Sequence, residues 1–143
     1  MVLTWVLLVL YCLQFVCPTE ILSFSAASGA FAELDTQVLA ISTDSVHTHL
    51  AWQRTKREDG GLGPVNIPLV ADTSKQISRA YGVLVENEED TMFGAALRGL
   101  FIIDPFGKVR SLTINDDQAG RNVDEVLRSV APSSSHLKVL DSA

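Results

Sequence analysis

Cysteine is scarce in this sequence of 143 residues, with only Cys12 and Cys17 present. Two cysteines provide no disulfide framework, so a hydrophobic core must hold the fold together and a reducing compartment is indicated. Basic residues are also few, with 11 Lys and Arg against 17 Asp and Glu and a net charge of -6. Nucleic acids and anionic membranes require a basic surface, so the charge balance argues against both as partners.

The sequence also lacks an apolar run long enough to cross a membrane comfortably. Residues 2–16 are almost wholly apolar, but at roughly 15 residues this run is shorter than the about 20 that a spanning helix needs. It mimics the core of a signal peptide without the charged residues before it or the small-residue cleavage site after it. We therefore predict a buried strand in a cytoplasmic protein, with a secretory or membrane-associated protein as the alternative.

Strand and helix patterns alternate along the chain, which predicts a layered α/β sheet. Apolar or β-branched runs predict strands over residues 6–10, 36–42, 67–70, 100–103 and 109–114. Helical patterns and capping residues predict four helices. They cover residues 18–33, the residues from a cap at Asp44 or Ser45 through Trp52, residues 74–81 and residues 122–130.

The segments between these elements have the composition of turns and loops. Residues 104–107 (DPFG) are a turn signal that joins the last two strands in a hairpin. Residues 56–64, rich in glycine, and the acidic residues 86–90 are predicted loops. We expect one domain over residues 1–130 and a divergent, flexible tail over residues 131–143.

Cys17 occupies the position most favourable for a reactive thiol. It follows the apolar run and directly precedes Pro18, a favoured residue in the first turn of a helix. Unpaired N–H groups and the helix dipole stabilise an anion at such an N-terminus, and the thiolate is the nucleophilic form of cysteine. The alternative is that Cys17 is a small, inert core residue.

A reactive thiolate also needs a cationic partner, and Arg98 and Arg121 are the candidates. Arg98 lies at a strand end, and Arg121 follows a turn and opens the last predicted helix. Glu20, three residues after Cys17, either orients an arginine beside the thiolate or simply complements the helix dipole. Each arginine has the competing interpretation of an exposed surface charge.

Two other patterns suggest binding sites only superficially. His47 and His49 are two positions apart at the start of a helix, where their side chains diverge, and no cluster of ligands completes a metal site. Residues 60–63 (GGLG) are not followed by the Lys-Ser/Thr pair of a phosphate-binding loop. We interpret both as structural.

Taken together, several ordered segments resemble the typical 2-Cys peroxiredoxins (thioredoxin peroxidases), from about residue 15 to residue 130. The segments are residues 15–20 (FVCPTE), 44–52 (DSVHTHLAW), 60–63 (GGLG), 66–69 (NIPL) and 98–104 (RGLFIID). The resemblance implies a thioredoxin-like three-layer fold, in which helices flank a central mixed sheet. The family's N-terminal strands have no counterpart here.

The same resemblance assigns a role to each candidate residue. Cys17 matches the peroxidatic cysteine, which attacks hydrogen peroxide or an alkyl hydroperoxide and becomes a sulfenic acid. Arg98 matches the arginine that holds thiolate and peroxide, and Glu20 and Arg121 match supporting members of that hydrogen-bonded network. The family uses no metal or prosthetic group, takes electrons from thioredoxin or another thiol, and forms homodimers or larger homo-oligomers.

This sequence departs from the family pattern on both sides of the matched region. Gln14 stands in the place of a threonine that helps to hold the peroxide, and Leu10 in the place of a proline that shields the thiolate. No cysteine follows Cys17 to act as the resolving cysteine, which suggests a truncated or alternatively spliced member. The expected function is a peroxidase that depends on an external thiol. The alternatives are a catalytically impaired interaction or chaperone-like protein, and a chain that does not fold stably alone.

Overall fold

The computed structural model describes residues 4–9, 18–115 and 122–131. The strands are β1 Thr4–Val9, β2 Thr36–Ser42, β3 Leu69–Ala71, β4 Arg98–Ile103 and β5 Val109–Asn115. The helices are α1 Pro18–Ala26, α2 Ser28–Glu33, α3 Val46–Arg54, α4 Gln76–Ala80 and α5, residues 123–131. Arg57–Asp59 form a short 3-10 helix. Among these residues no helix is both long and apolar enough to cross a bilayer.

The five strands form one mixed sheet in the order β3-β2-β1-β4-β5. β1, β2 and β3 are parallel, whereas β4 is antiparallel to β1, and β5 is antiparallel to β4. As a result, the last residues of β1, β2 and β3 lie at the same edge as the first residue of β4. We call this edge, marked by Val9, Ser42, Ala71 and Arg98, the carboxyl edge of the sheet.

A separate hydrophobic cluster covers each face of the sheet, which gives three layers. The first cluster joins alternate strand residues to α1, α2 and α5: Val6, Leu8, Leu100, Ile102, Ile21, Phe24, Phe31, Val126 and Val130. The second lies on the other face and joins the remaining strand residues to α4 and the segment after it: Leu7, Val9, Phe101, Ile103, Ile77, Tyr81, Val83 and Ala96. The predicted α/β architecture, with a central mixed sheet flanked by helices, is confirmed.

The predicted helix over residues 18–33 is in fact two helices, with Ala27 between them. Gly29 and the neighbouring serines are weak helix formers. The break lets the chain turn, so that the Phe31 ring stacks on the Phe24 ring with centroids 6.0 Å apart. Packing of the two rings outweighs continuation of a helix with low propensity.

The other elements differ from their predictions mainly at their ends. The strand predicted over residues 67–70 is Leu69–Ala71, and the helix predicted over residues 74–81 is Gln76–Ala80. The latter starts late because the Asp72 carboxylate accepts hydrogen bonds from the backbone N–H groups of Ile77 and Ser78. Residue 10 of the first strand prediction and tail residues 132–143 lie outside the described residues.

The predicted turn between β4 and β5 is present and is organised by Asp104. Its Oδ1 accepts from the backbone N–H groups of Phe106 and Lys108, and its Oδ2 accepts from Arg110 Nε at 2.6 Å. The Asp104 carboxylate accepts hydrogen bonds that stabilise its charged form, and the one from the Lys108 backbone has the largest effect. These hydrogen bonds hold the pKa of Asp104 below its ordinary value. This turn lies at the end of the sheet opposite to the carboxyl edge.

A second hairpin, over residues 83–97, was not predicted from the sequence. The Leu97 N–H donates to the Val83 carbonyl at 2.7 Å, and the Val85 N–H donates to Ala95 at 2.9 Å. The acidic residues 86–90 lie exposed in its loop, as predicted. The hairpin leads directly into Arg98 and packs on the second face of the sheet.

The stacked pair of phenylalanines provides a test of the first cluster. Phe24→Ala, at a side chain that is 0% exposed, is expected to lower the free energy of unfolding by about 3–5 kcal/mol. The matched control is Phe106→Ala, at a side chain that is 72% exposed, with an expected change within about 0.5 kcal/mol. Urea unfolding followed by circular dichroism measures the stability of both variants. Equal losses of stability would contradict the packing of Phe24 in the first cluster.

Candidate active site

Arg98 lies at the carboxyl edge, at the first position of β4. Gly99 pairs with Val9, the last residue of β1, so Arg98 stands beside the point where the chain leaves β1. Side chains alternate along a strand, which places Arg98 on the same face as Leu100. That face is covered by α1 through the first hydrophobic cluster. The prediction that Arg98 lies at a strand end is confirmed, and its side chain is half-buried.

Glu20 lies in the first turn of α1, and its side chain is only 8% exposed. α1 is held against the sheet by Ile21 and Phe24, both fully buried. α1 follows β1 in the chain and packs on the face of the sheet that carries Arg98. The buried Glu20 and the half-buried Arg98 therefore belong to elements that pack on the same side of the sheet.

Cys17 and Arg121, the other two predicted site residues, lie outside the described residues. Cys17 is bonded to Pro18, the first residue of α1, and Arg121 directly precedes residue 122, with α5 beginning at residue 123. Their roles therefore stay predictions. Chain connectivity alone keeps Cys17 within one residue of the α1 N-terminus.

A hydrogen bond near the C-terminal end of α1 joins this helix to a distant loop. Ser25 is buried, and its Oγ accepts a hydrogen bond from the Asn66 N–H at 2.7 Å. Ser23, on the same helix, is exposed and donates only to the Thr19 carbonyl one turn earlier. The position of α1 is thus determined by both apolar packing and a contact 41 residues away in sequence.

The glycine-rich segment over residues 60–63 packs against α3. This agrees with the prediction that the segment has a structural role. The Leu62 side chain is fully buried, and its N–H donates to the Trp52 carbonyl at 2.9 Å. A Cβ at Gly61 would lie 2.0 Å from the Thr55 carbonyl oxygen, so this close approach requires glycine. Trp52 Nε1 also donates to the Gly60 carbonyl at 3.3 Å.

The two histidines of α3 point in different directions, as expected from their spacing. His47 is exposed, whereas His49 is 6% exposed and its Nε2 lies 2.6 Å from Ser42 Oγ. Ser42 Oγ in turn donates to Asp44 Oδ2 at 3.2 Å. Within the described part of the chain, no group of three or more His, Cys, Asp or Glu side chains is arranged to hold a metal ion. No pattern in the sequence predicts the contact between Ser42 and His49.

Burial lowers the pKa of His49 below its ordinary value of 6.5, against the opposing effects of the Asp44 carboxylate and the Leu69 backbone. Among the described residues, His49 Nδ1 has no hydrogen-bond partner of acceptable geometry. A proton on Nδ1 would place an unpaired donor in the interior, which is costly. The fold therefore favours the neutral imidazole.

The comparisons with known proteins agree with this architecture. The model of the AhpC/TSA family matches residues 3–112. The chain is 60% identical over 116 residues to Peroxiredoxin TSA1 of Saccharomyces cerevisiae, which covers 81% of this chain and 57% of that protein. It is 55% identical over 126 residues to Peroxiredoxin tpx1 of Schizosaccharomyces pombe, which covers 87% of this chain and 63% of that protein.

Solved structures show the same fold. The mitochondrial 2-Cys peroxiredoxin of Plasmodium falciparum superimposes with a TM-score of 0.82 at 45% identity, over 96% of this chain and 78% of that one. The reduced 2-Cys peroxiredoxin of Plasmodium vivax gives a TM-score of 0.86 at 36% identity, over 95% of this chain and 68% of that one. The predicted thioredoxin-like peroxiredoxin fold is confirmed.

The chain therefore belongs to the AhpC/TSA family and is similar to peroxiredoxins over most of its length. It spans 57% and 63% of the lengths of the two yeast relatives. The recognition of the family from segments such as residues 98–104 is confirmed.

The pKa of His49 predicts how stability depends on pH. His49 binds its proton less tightly in the folded state than in the unfolded state. Between the folded and the unfolded pKa of His49, the unfolded chain therefore binds more protons. Stability should be fully present above about pH 6.5 and should fall below it, by at most about 1.4 kcal/mol per pH unit. His49→Gln should flatten this dependence in urea unfolding between pH 7 and 5, whereas His47→Gln, at an exposed site, should retain it. If the stabilities of the two variants depend on pH in the same way, His49 is not the origin of the dependence.

Proposed function

We propose that this chain is a thiol-dependent peroxidase in which Cys17 is the reacting group. The Cys17 thiolate attacks one oxygen of hydrogen peroxide or an alkyl hydroperoxide, and the O–O bond breaks. Cys17 becomes a sulfenic acid, and the second oxygen takes a proton and leaves as water or an alcohol. The observation that carries the proposal is the placement of Arg98 at the carboxyl edge, beside the end of β1, on the face of the sheet against which α1 packs.

Electrostatics at the proposed site supports such a reaction. The N-terminus of α1 offers unpaired N–H groups and the positive end of the helix dipole, which favour an anion at the preceding residue. A guanidinium presents several donors in a fixed plane, so Arg98 is suited to hold both the thiolate and a peroxide oxygen. The negative charge that develops on the leaving oxygen is stabilised by the same group.

The remaining site residues have supporting roles in the proposal. Glu20 orients the Arg98 guanidinium by accepting a hydrogen bond, and Arg121 contributes further positive charge to the network. We propose residues 1–130 as the functional domain and residues 131–143 as a separate, flexible tail. These assignments follow the family motifs that match Glu20, Arg98 and Arg121.

The sulfenic acid formed on Cys17 must be reduced by two electrons before a second turnover, and external thiols are the proposed source. Two external thiols complete the turnover: they reduce the sulfenic acid to the thiol, releasing water and forming a disulfide between themselves. Thioredoxin, or another cytoplasmic thiol, is the proposed donor. No metal or prosthetic group takes part, and a homodimer or larger homo-oligomer is the proposed assembly.

The second candidate function is a catalytically impaired interaction protein, with a chaperone-like role. Gln14 and Leu10, which replace a threonine and a proline of the family pattern, favour it. Such a protein would retain the family's fold and association surfaces without reducing peroxide. Thiol-dependent consumption of peroxide, measured by stopped flow, separates the two functions.

Oxidation of Cys17 is the most direct test of the peroxidase. After one equivalent of hydrogen peroxide with a sulfenic-acid trap present, mass spectrometry should find the adduct on Cys17. Its formation should be faster than that of a small free thiol, because the site stabilises the thiolate. Cys17→Ser should abolish the adduct, and Cys12→Ser is the matched control that should retain it. Labelling of Cys17 no faster than the free thiol would exclude the proposed function.

Arg98 is tested by a substitution that keeps an unbranched side chain but removes the guanidinium and its charge. Arg98→Met should slow Cys17 oxidation by on the order of 100-fold, the typical loss for one donor to a developing anion. Arg128→Met, on the exposed side of α5, is the control and should leave the rate unchanged. Thermal unfolding of both variants separates a loss of reactivity from a loss of folded protein. An Arg98→Met variant that is folded and reacts at the wild-type rate would refute the assigned role.

A further inference from the structure

Gly99 occupies a crowded position in the sheet, directly after Arg98. It pairs with Val9 of β1 on one side and with Ile114 of β5 on the other. By strand alternation it faces the second hydrophobic cluster, whereas Arg98 faces α1. Its backbone does not have the positive φ that favours glycine. A reason for glycine must therefore be sought in the space around the Cα atom.

That space is closed by two side chains of the second cluster. A Cβ built on Gly99 would lie 2.8 Å from Phe101 Cε2 and 3.2 Å from Val83 Cγ1. The first distance is shorter than real Cβ contacts, so a methyl group at this position requires the neighbours or the strand to shift.

Neither neighbour is free to move aside. Phe101 is 3% exposed, and its ring packs edge-on against Tyr81 with centroids 4.9 Å apart. Val83 is fully buried, and its carbonyl accepts the 2.7 Å hydrogen bond from Leu97 that closes the 83–97 hairpin. A side chain on Gly99 would therefore push the start of β4 away from the hairpin and toward the α1 face.

We propose that Gly99 is a positioning residue for Arg98. Because Gly99 has no side chain, the 83–97 hairpin can pack closely on one face of β4. This packing fixes the position from which Arg98 projects on the other face. The inference rests on the proposed role of Arg98 in peroxide reduction. A misplacement of about 1 Å in a reacting group can cost on the order of 100-fold in rate, so the backbone at residue 98 must be held closely.

The test compares Gly99, which is enclosed by side chains in β4, with Gly29, which is open to solvent in α2. Gly99→Ala should slow oxidation of Cys17 by hydrogen peroxide between about 10- and 100-fold. Gly29→Ala is the control, because a Cβ there meets nothing within 4 Å, and it should react at the wild-type rate. The readout is the rate of sulfenic-acid trapping on the full chain, at a temperature at which circular dichroism shows each variant to be folded.

A double-mutant cycle distinguishes positioning of Arg98 from a general structural effect. If Gly99 acts through Arg98, Gly99→Ala combined with Arg98→Met should react within about two-fold of Arg98→Met alone, because neighbouring residues that share a function are not additive. A structural defect would multiply the two losses. Multiplied losses, or a folded Gly99→Ala protein that reacts at the wild-type rate, would overturn the inference.

A second variant covers the case in which Gly99→Ala does not fold. Phe101→Leu removes the ring atom nearest to the added methyl group, so Gly99→Ala with Phe101→Leu should fold and react as fast as Phe101→Leu alone. A folded double variant that reacts much more slowly would contradict the steric argument. If wild-type protein and Gly29→Ala themselves show no selective oxidation of Cys17, the proposed function fails, and this result is distinct from a failure at Gly99.

Discussion

The antiparallel pairing of β4 with β1 is the constraint on which the candidate site depends. The chain leaves β1 at the carboxyl edge and reaches α1, whose N-terminus follows Cys17 directly. If β4 were parallel to β1, Arg98, its first residue, would lie at the opposite edge of the sheet. The reversed direction brings Arg98 opposite the end of β1, with Gly99 paired to Val9. One register thus joins residues that are 90 positions apart in the sequence.

The two faces of β4 serve different purposes at this edge. On one face Arg98 lies on the side of the sheet against which α1 packs, and on the other Gly99 accepts close packing of Val83 and Phe101. A strand held only by backbone hydrogen bonds at its end would fray. Here the second cluster restrains the backbone of β4 on the face opposite to α1.

Local signals made much of this fold predictable. The strand Thr36–Ser42 and the turn at Asp104 follow from β-branched runs and turn residues. The family segments predict Arg98 and Glu20 as site residues, and these roles stay predictions. The break at Ala27, the 83–97 hairpin and the contact of His49 with Ser42 depend on partners distant in space. Periodicity within a short window carries no information about such partners, so these features appeared only in the structure.

Formation of the thiolate and binding of the peroxide are separable demands on this site. The helix that favours the anion is α1, and it is fixed by Ile21, Phe24 and the Ser25–Asn66 hydrogen bond, all downstream of Cys17. Gln14 and Leu10 stand where the family pattern has residues that hold the peroxide and exclude water. On the proposed function, their replacement would weaken capture of the peroxide, whereas the contacts that anchor α1 involve other residues and do not depend on it.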